Sequence, residues 1–126
     1  MIVKLDWPNP KLAPNRSNGN HWGGLAAIKA KAHTDAYHLA KIAQNGNLFN
    51  PEKDYPLSII FVMPDKRRRD LDNLLASMKH SLDGIAKAIG VDDKRFKPIL
   101  IDWEYGAKPG AVLVGVGVEL RSGVNL

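Results

Sequence analysis

Lys66, Arg67, Arg68 and Arg69 run directly into Asp70 and Asp72, so six of seven consecutive positions carry charge. Like charges this close repel one another unless something holds them. A polyanion can neutralise the basic run, and a divalent cation can neutralise the carboxylates. Both together describe a site that grips a phosphodiester backbone and presents a metal ion to it. Oxygen ligands in a chain without cysteine or a matched histidine pair point to Mg²⁺, with Mn²⁺ as the alternative. The simpler reading makes Asp70 or Asp72 an N-cap, a position where Asp is preferred. Asp92 and Asp93 form a second acidic pair, which is ordinary turn chemistry unless the fold brings it back to the first.

The element that must position these groups is a helix expected over Leu71 to Ile89, whose Leu74, Leu75, Met78, Leu82, Ile85 and Ile89 form one apolar stripe. With Asp72 set at zero and about 100° per residue, Lys79 falls at about −20° and Asp83 at about 20°. Asp72, Lys79 and Asp83 would then share a polar seam that starts at the helix N-terminus, where the helix dipole favours anions. Lys79 and Asp83 also read as a plain surface pair, worth a few tenths of a kcal/mol. Upstream, the segment 15–24 is rich in amide, glycine and basic groups. It can wrap a phosphate with Asn15, Arg16 and His21, and offer Trp22 as a base or sugar platform; the alternative is a loop that buries Trp22.

The rest of the chain supplies a frame. Met1 to Trp7 reads as a short strand, and Pro8, Pro10 and Pro14 hold an extended loop. Leu25 to Gln44 reads as a helix, its His33 and His38 too far apart in sequence to share a metal on one helical face. Leu57 to Met63 is an apolar run between prolines, expected as a buried central strand. Gly90 is a natural helix stop. Ile99 to Tyr105 and Val112 to Leu120 alternate as strands, and the turn over residues 106–110 predicts that they pair as a hairpin. The expectation is one α+β domain over residues 1–126: a small mixed sheet in β-α-β-α-β-β order with two helices packed on it.

The 126 residues are 44% apolar and 25% charged, as in ordinary soluble domains. The net charge of +5 and pI near 9.6 suit a polyanionic partner without proving one. The absence of cysteine excludes disulfides, thiolate zinc sites and cysteine nucleophiles. With neither a long apolar run nor a signal-peptide pattern, a soluble, intracellular protein without membrane contact is expected.

Asp70, Leu71, Asp72 and Asn73 after a basic run, then Leu82-Asp83-Gly84, then Gly90 to Asp93, resemble the RusA family, Holliday junction resolvases of bacteria and their prophages. Pro14-Asn15-Arg16 and His21-Trp22 are similar to the family's N-terminal region, so the resemblance covers roughly residues 1–105. It implies a RusA-like fold and a cytoplasmic, homodimeric, Mg²⁺-dependent endonuclease that nicks four-way DNA junctions in pairs during recombination and repair. It also implies that Asp70, Asp72 and Asp93 form the acidic site, and it prefers Asp93 to Asp92. The family lysine normally stands four residues after the second aspartate, which is Ala76 here. Lys79 stands four before Asp83 and takes that role. Lys66 to Arg69 would grip phosphates without reading sequence.

Three alternatives remain open. One is a nuclease for other branched DNA, and another is a basic DNA-binding module whose aspartates are caps. A phosphatase with an Asp-x-Asp nucleophile would need the pair directly at a strand end, yet six residues separate Met63 from Asp70.

Overall fold

The computed structural model describes residues 1–14 and 22–122, the side chains of Trp22 and Gly23 aside. β1 (Ile2–Leu5) is followed by a 3-10 turn (Pro10–Leu12), helix α1 (Trp22–Gln44) and β2 (Tyr55–Met63). Helices α2 (Leu71–Ser77) and α3 (Lys79–Ile89) come next, then a 3-10 turn (Asp93–Arg95), β3 (Phe96–Tyr105) and β4 (Ala111–Val116). The fold is α+β with one mixed four-stranded sheet, as expected, in the order β1-β4-β2-β3. No helix among the described residues is long and apolar enough to cross a membrane.

The hairpin is the first correction. β3 and β4 do not pair with each other. β3 runs parallel to β2 on one side, and β4 runs antiparallel to β2 on the other, with β1 beyond it. The connection over residues 106–110 therefore passes across the end of β2. The Gly106 N–H donates to the Met63 carbonyl at 2.8 Å, and a Cβ at Gly106 would stand 2.5 Å from Val62 Cγ1. Gly110 sits at φ +79°, where a side chain would also press on the Val62 carbonyl at 2.9 Å. The two glycines let the chain cross β2 at van der Waals distance, a demand that a simple hairpin would not make.

β4 also stops at Val116, short of the predicted Leu120. Gly117 turns the chain at φ +75°, and its N–H donates to Pro56 O. Leu120 then folds back to cover Ile60 and Leu113 on the sheet face away from the helices.

The main core lies on the opposite face. Leu57, Ile59 and Phe61 of β2 and Val112, Val114 and Val116 of β4 pack with Ala36 and Ala40 of α1 and Ile85, Ala88 and Ile89 of α3. Gly84 lets α3 approach the backbone of α1 at His33.

The single helix expected over Leu71 to Ile89 is two, broken at Met78. Ser77 is buried and its hydroxyl donates to the Leu74 carbonyl at 2.6 Å, a local bond that competes with the helical ladder and bends helices. Met78 is buried in the core, pinning the elbow. Gly90 ends α3 in the left-handed conformation (φ 72°, ψ 29°), as expected.

Candidate functional site

The basic run occupies the loop between β2 and α2, and its members do different things. Arg69 is 13% exposed in its side chain, pairs with Asp65 at 2.8 Å, and donates to the carbonyls of Asp65 and Arg67. Its guanidinium also lies over Trp7, 5.3 Å from the ring centroid. Trp7 in turn meets Phe61 edge-on, tying the loop to the core. Asp65 is held at about 2, well below the usual carboxylate range, first by the Arg67 backbone N–H and then by the Arg69 guanidinium.

Arg69 is therefore a strut of the loop. Lys66 and Arg68 are exposed and take no partner among the described residues, while Arg67 reaches Asp65 only at 3.4 Å. Arg69→Ala is expected to lower stability by about 1–2 kcal/mol, because it leaves Asp65 without its closest cation and uncovers Trp7. Arg68→Ala should leave the melting temperature within about a degree of the wild type. Paired thermal melts check both.

Arg67, Arg68 and Arg69 line an open cleft of about 290 Å³, with Asp70, Asn73, Leu74 and Ser77. Trp7, Pro8, Asn9, Pro10 and Ala13 line it too. Cationic, carboxylate, aromatic and proline residues thus line the same cleft. Sequence reasoning placed Trp7 only in a strand. Its position before Pro8, at the end of that strand, was the available signal that it could line a cleft.

Asp70 is the N-cap of α2, its Oδ1 accepting the Asp72 N–H at 2.9 Å. Asp72 lies in the first turn, exposed, with no partner for its carboxylate among the described residues. The elbow at Met78 corrects the continuous polar seam: Asp72 belongs to α2, whereas Lys79 and Asp83 belong to α3 and pair with each other at 3.7 Å. The 100° arithmetic does not carry across a broken ladder.

Asp83 has a second neighbour, Asp93. The Asp93 carboxyl is pushed up, first by its hydrogen bond with Asp92, then by burial and by Asp83. Asp92 is lowered, chiefly by the Lys94 N–H that it accepts at 2.9 Å as cap of the 3-10 turn. Asp92 thus caps its own turn, while Asp93 interacts first with Asp92 and also with Asp83 of α3. The structure gathers Lys79, Asp83 and Asp93 into one chain of contacts and keeps Asp70 with Asp72 at the start of α2. Among the described residues no three His, Asp or Glu side chains converge as ligands of one metal ion. The carboxylate oxygens suit a hard divalent cation in kind. They are distributed over two pairs and do not form a closed triad. Asn15, Arg16 and His21, and the Trp22 side chain, lie outside the described residues.

No protein-family model matches the chain. An uncharacterized protein of Xylella fastidiosa (strain Temecula1 / ATCC 700964) is 38% identical to it over 95 residues, a match covering 75% of this chain and 61% of that protein. The match thus spans less than two thirds of that relative's length.

Proposed function

We propose that this chain is a RusA-like, metal-dependent endonuclease that acts on branched DNA, with the four-way junction as its expected substrate. The observation that carries the reading is the cleft that Arg67, Arg68, Asp70 and Trp7 line together. Lys66 and Arg68, which make no internal pair among the described residues, are free to hold phosphates, and a carboxyl beside them has a use if a metal ion joins it to the same backbone. Asp70 and Asp72 would hold Mg²⁺ or Mn²⁺, and the resemblance assigns Asp93 to the same ion, which requires it to leave Asp83 and Asp92. The ion would lower the pKa of a bound water and neutralise charge on the scissile phosphate.

The chain's own residues supply the remainder. Asp70 accepts the Asp72 N–H and so fixes the spacing of the first pair. Asp93 interacts with Asp83 of α3 as well as with Asp92, which supports the preference for Asp93 over Asp92. Lys79, anchored to Asp83, provides the positive charge that Ala76 lacks. Paired nicking of a junction would need two such sites, hence a homodimer.

A non-catalytic DNA-binding module is the second reading, favoured by the capping role of Asp70 and by the separation of the two acidic pairs. End-labelled four-way junction and matched linear duplex, each in Mg²⁺ and in EDTA, separate the readings. Paired nicks in the junction, in Mg²⁺ only, are expected. Equal cutting of every DNA keeps the nuclease and removes the junction; tight binding with no cutting in Mg²⁺ or Mn²⁺ leaves the module.

A further inference from the structure

A second cavity adjoins the cleft and carries the opposite charge. It holds about 230 Å³ and shares Trp7, Pro8 and Asn9 with the cleft. Three arginines and one aspartate line the cleft, whereas Asp6, Asp35 and a single cation, Lys31, line the second cavity. The balance here is negative in a chain whose net charge is +5. A phosphodiester that the cleft attracts is not favoured in this place.

Most of the remaining lining is apolar. Leu5, Ala36 and Met78 are buried, Leu12 and Ile28 are half-buried, and Leu39 is exposed. An apolar body can leave water against these side chains, while the charged residues of the lining are exposed and can meet a polar end. The volume is below that of a site for a drug-sized molecule, which limits the occupant to about one ring with a short arm.

The two carboxylates differ. Asp35 pairs with Lys31, one turn earlier in α1. Asp6 is exposed and makes no hydrogen bond or ion pair among the described residues. Its field still reaches the rim. The Lys31 ammonium is held above its usual range, first by its hydrogen bond to Asp35 and in smaller part by Asp6. One ammonium of the chain is thus already drawn here, and Asp6 is left to take another.

We infer that this cavity is a second binding site, for a small molecule with an apolar body and one ammonium group, the body lying against Leu5, Ile28, Ala36 and Met78 and the cation pairing with Asp6. The inference goes beyond the nuclease reading and stands without it. A carboxylate on the ligand would meet Asp6 and Asp35, so an arylalkylamine fits where the corresponding amino acid does not. Trp7 lines both cavities, and Met78 is the break between α2 and α3. An occupant is therefore in contact with residues that also shape the cleft.

Calorimetric titration of the full chain with phenethylamine, without DNA or metal, tests the site apart from any cleavage. Saturable binding is expected with a dissociation constant of about 1 mM or below, as suits a ligand of this size. Phenethyl alcohol, which lacks the cation, and phenylalanine, which adds a carboxylate, should each bind about threefold or more weakly. Asp6→Asn should weaken the amine by about the same factor and leave the alcohol unchanged. Ala32→Leu, which enlarges a side chain of the lining at little cost in helix propensity, should weaken amine and alcohol alike by about tenfold. Arg68→Ala, in the cleft, should change neither. No saturable binding up to about 20 mM overturns the inference. Equal affinity for the three ligands also overturns it, as does amine binding that Asp6→Asn leaves intact or that Arg68→Ala abolishes. If Ala32→Leu does not fold, Asp6→Asn and the three ligands decide alone. A protein that binds the amine and cuts no DNA retains the site and loses the nuclease; cutting without amine binding does the reverse.

Discussion

Asp72→Asn is expected to reduce Mg²⁺-dependent nicking of branched DNA by about 10²–10³-fold while leaving the protein folded and DNA affinity equal or higher. The size of the loss follows from what the residue would do. A carboxylate in the first turn of α2 offers two charged oxygens to a dication, and the isosteric amide offers one neutral oxygen. Stability should barely change, because the Asp72 side chain is exposed and pairs with nothing among the described residues. Loss of its charge near the helix N-terminus costs about 0.3–1 kcal/mol at most. Binding should rise, since one negative charge leaves the neighbourhood of Lys66, Arg67 and Arg68. Cleavage rates in Mg²⁺, run beside gel-shift titrations at fixed salt, read the two effects separately. If cleavage survived the substitution undiminished, Asp72 would have no part in the reaction and the acidic site would have to be sought elsewhere.

Asp70→Asn makes a sharper comparison than it first suggests. Asn caps helices nearly as well as Asp, so the α2 N-terminus keeps its hydrogen bond to the residue 72 N–H. If Asp70 serves only as a cap, Asp70→Asn should leave nicking unchanged; if it also holds the ion, nicking should fall as far as in Asp72→Asn. The pair of substitutions thus separates the capping role of Asp70 from the chemical role proposed for the same carboxyl.

The strands and helices could be read from the chain where the local pattern was also the tertiary answer. Leu57 to Met63 is apolar between prolines and lies at the middle of the sheet, and Gly90 ends its helix as such a glycine should. Three features escaped because they depend on partners. The turn over residues 106–110 is a turn, but alternation in the flanking strands says nothing about which strand each will meet. A clue lay in Pro98, a residue that sheets admit mainly at their edges. The break at Met78 escaped because a hydrophobic stripe reports the burial of a face, and two short helices at an elbow can bury it as well as one. Ser77 is the residue that carried the signal. Arg69 escaped because four adjacent cations look alike in sequence. Only the approach of Trp7 and Asp65 makes one of them internal. For the same reason the motif named the acidic residues without revealing that Asp83 and Asp93 meet while Asp70 and Asp72 remain together elsewhere.

Gly84→Ala is expected to give a large stability loss, since an added Cβ there meets backbone more closely than at any other described glycine. A Cβ at that position would run into the His33 carbonyl oxygen, with His33 C at 3.1 Å and Tyr37 N at 3.2 Å behind it. All three atoms are backbone of α1, so no side chain can swing away. The helices must part, and the contact that parts is the one that seals Ala36 and Ala40, both fully buried, against Ile85. Overpacking of this kind costs about 3 kcal/mol, and the better helix propensity of Ala returns about 1 kcal/mol, leaving a net loss of roughly 2 kcal/mol. For a domain of this size that lowers the melting temperature by about 6–10 °C. Gly24→Ala, in α1 with no described atom within 4 Å of the added carbon, should be neutral or slightly stabilising. Opposite signs for the same chemical change would locate the effect at the helix crossing. An unchanged melting temperature in Gly84→Ala would show that α1 and α3 do not approach at this glycine. Because Gly84 adjoins Asp83, the separation should also move Asp83 relative to Asp93. Nicking is then expected to fall even at temperatures where Gly84→Ala remains folded.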